Sequence, residues 1–132
     1  MKAFALILIS CFVFAGCEKS KDQETPVQLD GAWFGTFSRT GMDTANVMFQ
    51  FQDNTFQGSS SKTKYPAICH GSFDIDQHSI YLIDSCTWTA DFDWTLILNG
   101  TYNFSQTSDL EVRIWRTNGN VTDEYILRKI VR

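Results

Sequence analysis

The sequence is poor in the residues that carry metal and nucleophilic chemistry. Histidine occurs only twice, at His70 and His78. The alternating pattern described below places His70 on a polar face and His78 in a turn, apart from each other and from any cysteine free to bind metal. We therefore expect no zinc site. The serines, threonines and cysteines stand in no nucleophile motif, and there is no Gly-rich phosphate loop. The sequence thus predicts a protein that is not an enzyme and that has no cofactor.

Basic residues are also scarce, and they nowhere form a run. The 132 residues contain 11 Lys and Arg against 15 Asp and Glu, which gives a formal net charge of −4. Nucleic acids and anionic lipid head groups both require a basic surface patch on the protein that binds them. We therefore expect neither of them as a partner.

The chain begins with an apolar run, and no second run of similar length follows. Residues 3–14 are almost entirely apolar, and Lys2 precedes them. A membrane-spanning helix needs roughly 20 apolar residues. A short positive end, about a dozen apolar residues and small residues at the exit are instead typical of a secretory signal peptide. We predict a signal peptide over residues 1–16.

The residues around this cleavage point resemble the lipobox of bacterial lipoproteins. Residues 14–17 read Phe-Ala-Gly-Cys. The resemblance implies that Cys17 is lipidated and becomes the mature N-terminus, and that the membrane is contacted through this anchor only. Residues 17–28 would then form a flexible tether. Glu18 after the cysteine implies, by the same resemblance, the outer membrane of the cell envelope. An ordinary signal peptide cut near Gly16 is the alternative.

The remaining residues, 29–132, are predicted to form one all-β domain. Apolar side chains recur at alternate positions in short runs separated by Gly, Asn, Asp and Ser, a pattern typical of antiparallel strands. We predict an eight-stranded up-and-down barrel, with a two-sheet sandwich as the alternative. The predicted strands are 31–39, 45–52, 55–61, 67–76, 79–86, 93–105, 109–116 and 123–131.

Two hairpins have a predicted register. In the first, which turns at residues 76–79, pairing residues whose numbers sum to 155 sets apolar residues opposite each other and Cys69 opposite Cys86. These are the two cysteines outside the signal peptide and the lipidation site, so we predict a disulfide between them, with two buried free thiols as the alternative. In the second hairpin, numbers summing to 214 place Tyr102 opposite Val112.

Two short motifs resemble the lipocalin-like (calycin) barrels. Residues 29–37 resemble the Gly-x-Trp opening strand of that family, and residues 125–129 resemble its closing strand. The resemblance implies that Gly31 and Trp33 lie at the closed base of the barrel. It also implies that Arg128 packs over the Trp33 ring as a cation–π partner.

Many aromatic residues are predicted to face the barrel interior. An eight-stranded barrel holds either packed side chains or one small ligand. A ligand cavity would make the chain a binding module for a small apolar, hydrophobic or amphipathic molecule. A packed interior would make it an interaction, inhibitor or accessory module that uses its outer face on an unknown protein partner, with Trp88 and Trp115 predicted to be exposed there. The predicted cavity-lining residues are Phe49, Phe51, Phe73, Trp94, Tyr102 and Phe104.

One loop carries a group of acids that resembles a site. Asp84, Asp91 and Asp93 occur close together in the sequence, beside two tryptophans. Neighbouring carboxylates can bind a hard cation or act as an acid/base pair. In a solvated loop, however, acids ordinarily favour solubility. We expect the latter role, and a hydrolase built on these three residues is the last of our hypotheses.

Overall fold

The computed structural model describes Gly16 and residues 26–132 of the chain. The predicted lipidation site Cys17, the rest of the predicted signal peptide and tether residues 17–25 lie outside the described residues. Within the described part, no helix has both the length and the apolar character that crossing a bilayer requires.

Eight antiparallel strands form one closed up-and-down barrel, as the alternating pattern predicted. Each strand pairs with its neighbours in the sequence, and the first strand pairs with the last. Closure leaves no sheet edge unpaired, and the sandwich alternative is therefore wrong. The strands are β1 Gly31–Arg39, β2 Ala45–Gln52, β3 Thr55–Ser60, β4 His70–Ile75, β5 Ser79–Asp84, β6 Gly100–Ser108, β7 Glu111–Asn118 and β8 Val121–Lys129.

The hairpin of β4 and β5 has the predicted register. Phe73 lies opposite Leu82, and all the paired residues of this hairpin have numbers that sum to 155. Cys69 and Cys86 continue the same register and form a disulfide, with their Cα atoms 6.3 Å apart. In the turn, the Asp76 carboxylate accepts two backbone N–H groups, each at 2.7 Å. The disulfide prediction is confirmed.

The predicted register of β6 and β7 is wrong by four residues. Phe104 lies opposite Ile114 and Gln106 opposite Val112, so that the paired numbers sum to 218. β6 runs on through an irregularity before Ser108 and turns there, later than the sequence pattern suggests. Because a shift by an even number keeps every side chain on the same face, the inward-facing set of this hairpin is still the predicted one.

The segment before β6 departs most from its prediction. Residues 93–99 were expected to begin the sixth strand, but Trp94–Leu96 form a short 3₁₀ helix instead. The Asp93 carboxylate caps this helix by accepting the Thr95 N–H at 2.9 Å and the Thr95 hydroxyl at 2.7 Å. Such local hydrogen bonds compete with a strand ladder. Trp94 consequently lies 56% exposed on the surface and not inside the barrel.

The barrel has two unlike ends. We call one the base end, where the chain enters at Leu29 and where short turns join the strands. We call the other the top end, where three of the four connections are longer than any base-end turn. The base-end turns are residues 53–54, 76–78 and 109–110, and the top-end connections are residues 40–44, 61–69, 85–99 and 119–120.

Trp33 lies at the base end with its ring fully buried. Its Nε1 donates a hydrogen bond to the Leu29 carbonyl at 2.7 Å, which ties the incoming chain to the barrel. Gly31 has a φ of +124°, and a Cβ atom there would stand 2.9 Å from the Lys129 Cε. The backbone conformation therefore favours glycine at this position, whereas the flexible end of the Lys129 side chain could move away from a Cβ atom.

The predicted role of Arg128 is wrong. Arg128 pairs across the sheet with Phe34, which faces outward, and its side chain is 69% exposed in an ion pair with Glu111 at 3.0 Å. The next residue, Lys129, takes the expected place, with its Nζ 5.6 Å from the centroid of the Trp33 ring. The alternation of side chains along β8 explains the difference, because it turns residue 129 toward the base and residue 128 toward solvent.

Candidate functional site

The barrel interior is packed with aromatic side chains. The Phe51 ring lies 5.3 Å from both the Phe49 ring and the Phe73 ring, centroid to centroid, within the range of ring contact. Tyr102 and Phe104 are buried in the same cluster. Five of the six predicted cavity residues therefore pack into one core. The described interior corresponds to the packed alternative, and the sixth residue, Trp94, does not reach it.

A cleft of about 580 Å³ opens at the top end of the barrel, and we call it the end cleft. Small-molecule sites typically measure roughly 300–1,000 Å³. The cleft lies between the 85–99 connection and the top ends of β5 and β7. Its lining consists of Asp84, Cys86, Thr87, Trp88, Trp94, Thr95, Ile97, Asn99, Arg116 and Asn118.

Two tryptophans of the end cleft are held by their indole N–H groups. The Nε1 of Trp88 donates to the Asp84 carboxylate at 2.7 Å, and that of Trp94 donates to the Thr89 carbonyl at 2.9 Å. The Trp88 ring also makes an edge contact with Phe92. Because these hydrogen bonds use the polar edge of each indole, the cleft receives the apolar part of the rings.

The two tryptophans predicted to be exposed are both half-buried. Trp88 is held in the end cleft as described above. Trp115 lies in β7 on the outer wall of the barrel, where the Arg113 guanidinium lies 4.2 Å from its ring centroid. Trp115 does not line the end cleft.

Two buried polar atoms of the end cleft have no hydrogen-bond partner among the described residues. They are the Oδ1 of Asp84 and the Nε of Arg116. The Asp84 Oδ2 accepts from Trp88, while the Arg116 Nη atoms donate to the carbonyls of Asn99 at 2.9 Å and Thr95 at 3.2 Å. An unsatisfied buried polar atom costs about 1–3 kcal/mol. Both unpaired atoms are buried beneath the lining of the cleft, next to two aromatic rings, and a ligand reaches them only if lining side chains shift.

A buried ion pair holds the wall that carries Trp94. Arg39 donates to both carboxylate oxygens of Asp123, at 2.5 and 2.7 Å. Its Nη1 also reaches Asp93 at 3.1 Å and the Thr95 hydroxyl at 2.9 Å. Since Asp93 and Thr95 flank Trp94, the network joins β1 and β8 to the cleft wall.

The ionisation of this network follows from its hydrogen bonds. The hydrogen bond to Asp123 raises the pKa of the Arg39 guanidinium, although burial opposes that rise. The hydroxyl and the backbone N–H of Thr95 lower the pKa of Asp93, with Arg39 adding to the effect. Arg39 is therefore cationic and Asp93 anionic at neutral pH, and the attraction between them holds the wall in place.

A second cation clamps the same connection. The Lys64 Nζ donates to the Thr89 hydroxyl at 2.7 Å and to the Asp91 carboxylate at 2.8 Å. The same Nζ lies 5.0 Å from the centroid of the Phe92 ring. The hydrogen bond from Lys64 lowers the pKa of Asp91 to about 2. The 85–99 connection is thereby fixed to the 61–69 connection.

The three acids of the predicted group have separate partners. Asp84 binds Trp88, Asp91 binds Lys64, and Asp93 binds Arg39. Each carboxylate of the described group therefore has a structural role of its own. Of the three, Asp84 alone lines the end cleft.

Sequence reasoning did not select Arg39, Asp123 or Arg116. A signal for them was present, because all three occupy positions that alternation assigns to the inward face of β1, β8 and β7. A charge on an otherwise apolar face is costly unless it is paired. Opposite charges on the inward faces of the two strands that close the barrel therefore predict an internal ion pair.

The end cleft is rigid on three sides. The Cys69–Cys86 disulfide and Lys64 fasten the 85–99 connection to the 61–69 connection at two separate points, and the Arg39 network fastens it to β1 and β8. Chemically, the arrangement suits a molecule with a flat apolar face and a hydrogen-bonding edge. A comparison of the chain with models of known protein families, with curated proteins and with solved structures finds no match.

Proposed function

We propose that the chain is a non-enzymatic binding module of the cell envelope and that it holds a small amphipathic ligand in the end cleft. The observation that carries this proposal is the lining of the end cleft, which combines the exposed Trp94 and the half-buried Trp88 with the polar side chains of Asp84 and Arg116. A ligand that shifts this lining enough to reach the buried Asp84 Oδ1 and Arg116 Nε also recovers their unmade hydrogen bonds.

The chemistry of the cleft favours a neutral hydroxylated ring, such as a sugar. A hydroxyl group donates to a carboxylate and accepts from a guanidinium, so it satisfies both Asp84 and Arg116. An anionic ligand would meet the Asp84 charge, and a cationic ligand would meet the Arg116 charge. The apolar face of a sugar ring matches the exposed face of Trp94.

The envelope part of the proposal rests on residues 1–28. A signal peptide over residues 1–16, a lipidated Cys17 and a short polar tether would place the barrel at a membrane surface, facing either the periplasm or the cell exterior. The chain enters the barrel at Leu29 on the base end, whereas the end cleft lies at the top end. An anchor at Cys17 would therefore leave the cleft open on the side away from the lipid.

The ligand part of the proposal is tested by binding to a panel of neutral mono- and oligosaccharides. We expect saturation-transfer NMR to detect at least one of them and isothermal titration to give its affinity. In Trp94→Ala the affinity should fall by about tenfold, or ~1.4 kcal/mol, near the upper end of aromatic contact energies. Trp115→Ala, a matched change outside the cleft, should leave the affinity unchanged.

Asp84→Asn provides an independent test within the lining of the end cleft. It preserves the shape of the side chain but removes the charge of the carboxylate that is proposed to accept a hydrogen bond from the ligand. We expect a further loss of affinity with the same fold by circular dichroism. No binding from the panel contradicts the sugar assignment. Binding that is equal in the wild type, Trp94→Ala and Asp84→Asn contradicts the end cleft as the site.

The outer wall supports a second candidate, a protein-interaction role. Phe34 and Met48 are cross-strand neighbours in β1 and β2, both about half exposed, and Ile130 lies beside them. An exposed apolar patch of this kind is typical of an interface. A photo-crosslinker at Met48 should capture one defined neighbour in intact cells, whereas a crosslinker at the equally exposed Tyr81 should not. Equal labelling at both positions contradicts this role.

A further inference from the structure

The disulfide at the top end has a histidine against both of its sulfur atoms. The Nδ1 of His70 lies 3.1 Å from the Cys86 Sγ and 3.3 Å from the Cys69 Sγ. Alternation assigns His70 to the polar face, apart from any cysteine free to bind metal, and it did not predict this contact. His70 is the first residue of β4, at the end of the ladder, where its ring lies alongside the disulfide.

We propose that Cys69, His70 and Cys86 bind a thiophilic divalent metal ion of the zinc class once the disulfide is reduced. Their ligand atoms all lie within 4.8 Å of one another. Two thiolates and one imidazole form a ligand set that zinc favours. Three protein ligands also leave the fourth position of a tetrahedral site for water or an external ligand. This site goes beyond the binding role of the end cleft, and it alters our sequence-based expectation of no zinc site.

The present geometry is close to what a metal requires. With Zn–S near 2.3 Å and Zn–N near 2.0 Å, a tetrahedral site sets imidazole nitrogen and sulfur about 3.5 Å apart and the two sulfurs about 3.8 Å apart. The nitrogen-to-sulfur distances of 3.1 and 3.3 Å need to lengthen only slightly. The two sulfurs, freed from their bond, separate by rotation of the cysteine side chains.

The backbone keeps the three ligands together without the disulfide. The Ser85 N–H donates to the His70 carbonyl at 2.9 Å, and the Gly58 N–H donates to the Cys69 carbonyl at 2.8 Å. The first bond joins the two strand ends that carry the ligands, and the second holds Cys69 to the neighbouring strand β3. His70 is exposed and both cysteines are half-buried, so a reductant and a metal ion reach the site from solvent.

The redox state of Cys69 and Cys86 determines whether the site can bind a metal ion. Reduction adds two electrons and two protons to the Cys69–Cys86 bond, and a thiol reductant supplies them while it is oxidised to its own disulfide. Metal binding then displaces the two thiol protons, because thiolates are the ligands. The oxidised chain offers only the His70 imidazole, which does not hold a metal ion by itself at low concentrations.

The test is a cobalt titration of the full chain, purified as the host cell produces it. A phosphine reductant cleaves the disulfide and is itself oxidised to the phosphine oxide, with one water molecule supplying the oxygen and the two thiol protons, and it adds no competing thiol. We expect one equivalent of Co²⁺ to give thiolate-to-cobalt charge-transfer absorption, which Zn²⁺ then removes. The unreduced chain should show none. The Cys69→Ser/Cys86→Ser variant keeps every other cysteine, so it measures their background.

His70→Asn should weaken cobalt binding by at least about tenfold, since even outer-shell partners of a metal ligand contribute 10–100-fold. His78→Asn, the matched histidine change, should leave the affinity unchanged. Reduced wild type that gives no more absorption than the double serine variant overturns the proposal. Equal affinities in His70→Asn and His78→Asn also overturn it. So does loss of the barrel's circular dichroism on reduction with cobalt present, because the ligand set depends on the folded hairpin.

Discussion

Replacing Asp123 by asparagine should lower the free energy of unfolding by about 3 kcal/mol. Arg39 and Asp123 are only 8% and 5% exposed, and two hydrogen bonds join them. Removing one partner of a buried ion pair typically costs about 3–5 kcal/mol, because the other charge stays buried. We expect the lower end of this range for two reasons. Asparagine retains one acceptor, and Arg39 keeps its hydrogen bonds to Asp93 and Thr95.

Urea or thermal unfolding of the purified variant measures this loss. For a domain of about this size, 3 kcal/mol corresponds to a fall in Tm of roughly 12–24 °C. Glu124→Gln is the matched control, since Glu124 forms an ion pair with Arg113 on the outer face at 2.5 Å. Breaking that exposed pair should cost less than about 1 kcal/mol.

Two outcomes would refute this reasoning. One is an Asp123→Asn variant as stable as Glu124→Gln. The other concerns Arg39→Met/Asp123→Leu, which replaces both charges by apolar groups and should recover much of the lost stability. Neither member of the pair is then left as an unpaired buried charge, and the further loss is the 3.7 Å ion pair of Asp123 with the partly exposed Arg116. A double variant less stable than Asp123→Asn would show that the loss does not come from an unpaired Arg39.

The remaining predictions concern the disulfide, the base end and acid. Cys69→Ser/Cys86→Ser should lower the free energy of unfolding in guanidinium by about 3 kcal/mol, because the disulfide closes a loop with a cysteine separation of 17 residues. A loss below about 1 kcal/mol contradicts the loop-closure argument. Lys129→Ala should lower the free energy of unfolding by about 0.5–1 kcal/mol, because it removes the cation–π contact with Trp33. Arg128→Ala should lower it by less than about 0.5 kcal/mol. The reverse order of these two losses contradicts our account of the base end. The pKa of Asp93 is lowered below its ordinary 3.8. Its stabilising contribution is therefore complete above that pH and is lost as the pH falls through the folded-state pKa. Asp93→Asn should remove this acid phase from the tryptophan fluorescence, and an unchanged acid phase contradicts the assignment.

The strands and the closed barrel could be predicted because apolar residues recur at every second position in most of the strands. In β2, for example, Val47, Phe49 and Phe51 alternate with polar or exposed residues, and their inward direction is fixed by burial. The register of β4 and β5 followed in the same way, since a slip by one residue would have turned Cys69 and Cys86 to different faces. A register error of four residues, as in β6 and β7, violates no such rule.

The predictions were wrong in two kinds of place. In one, local hydrogen bonds favoured a turn over a strand, and in the other, an offset of one residue changed which side chain faces inward. Trp94 fits the alternating pattern of the residues after it, but the Asp93 cap and the Thr95 hydroxyl favour a helical turn over a strand. Lys129 takes the role that was predicted for Arg128, one residue earlier in β8, and the family resemblance could not distinguish these two positions. The contact of His70 with the two sulfurs depends on side-chain direction at a strand end, where alternation no longer applies.

The end cleft could be predicted only in part. The sequence analysis grouped Asp84 with Asp91 and Asp93 in a loop that also contains Trp88 and Trp94, and three of these five residues line the cleft. Arg116 comes from β7, and the pairing of β5 with β6 and of β6 with β7 brings it to the same cleft. Its partner atoms on Asn99 and Thr95 are backbone carbonyls, which carry no sequence signal at all.

The position of the end cleft follows from how this barrel is filled. Eight strands enclose just enough space for side chains or for one small ligand, and here the rings of the core use that space. A binding site must then lie outside the core, on residues whose conformation the strands do not dictate. The base-end turns are too short to form walls, whereas the 85–99 connection is long enough to fold back over the barrel mouth. Because a long connection loses more conformational freedom on folding than a short turn does, it needs separate fastening. The disulfide, Arg39 and Lys64 provide that fastening, and they do so at the connection that carries Trp88 and Trp94.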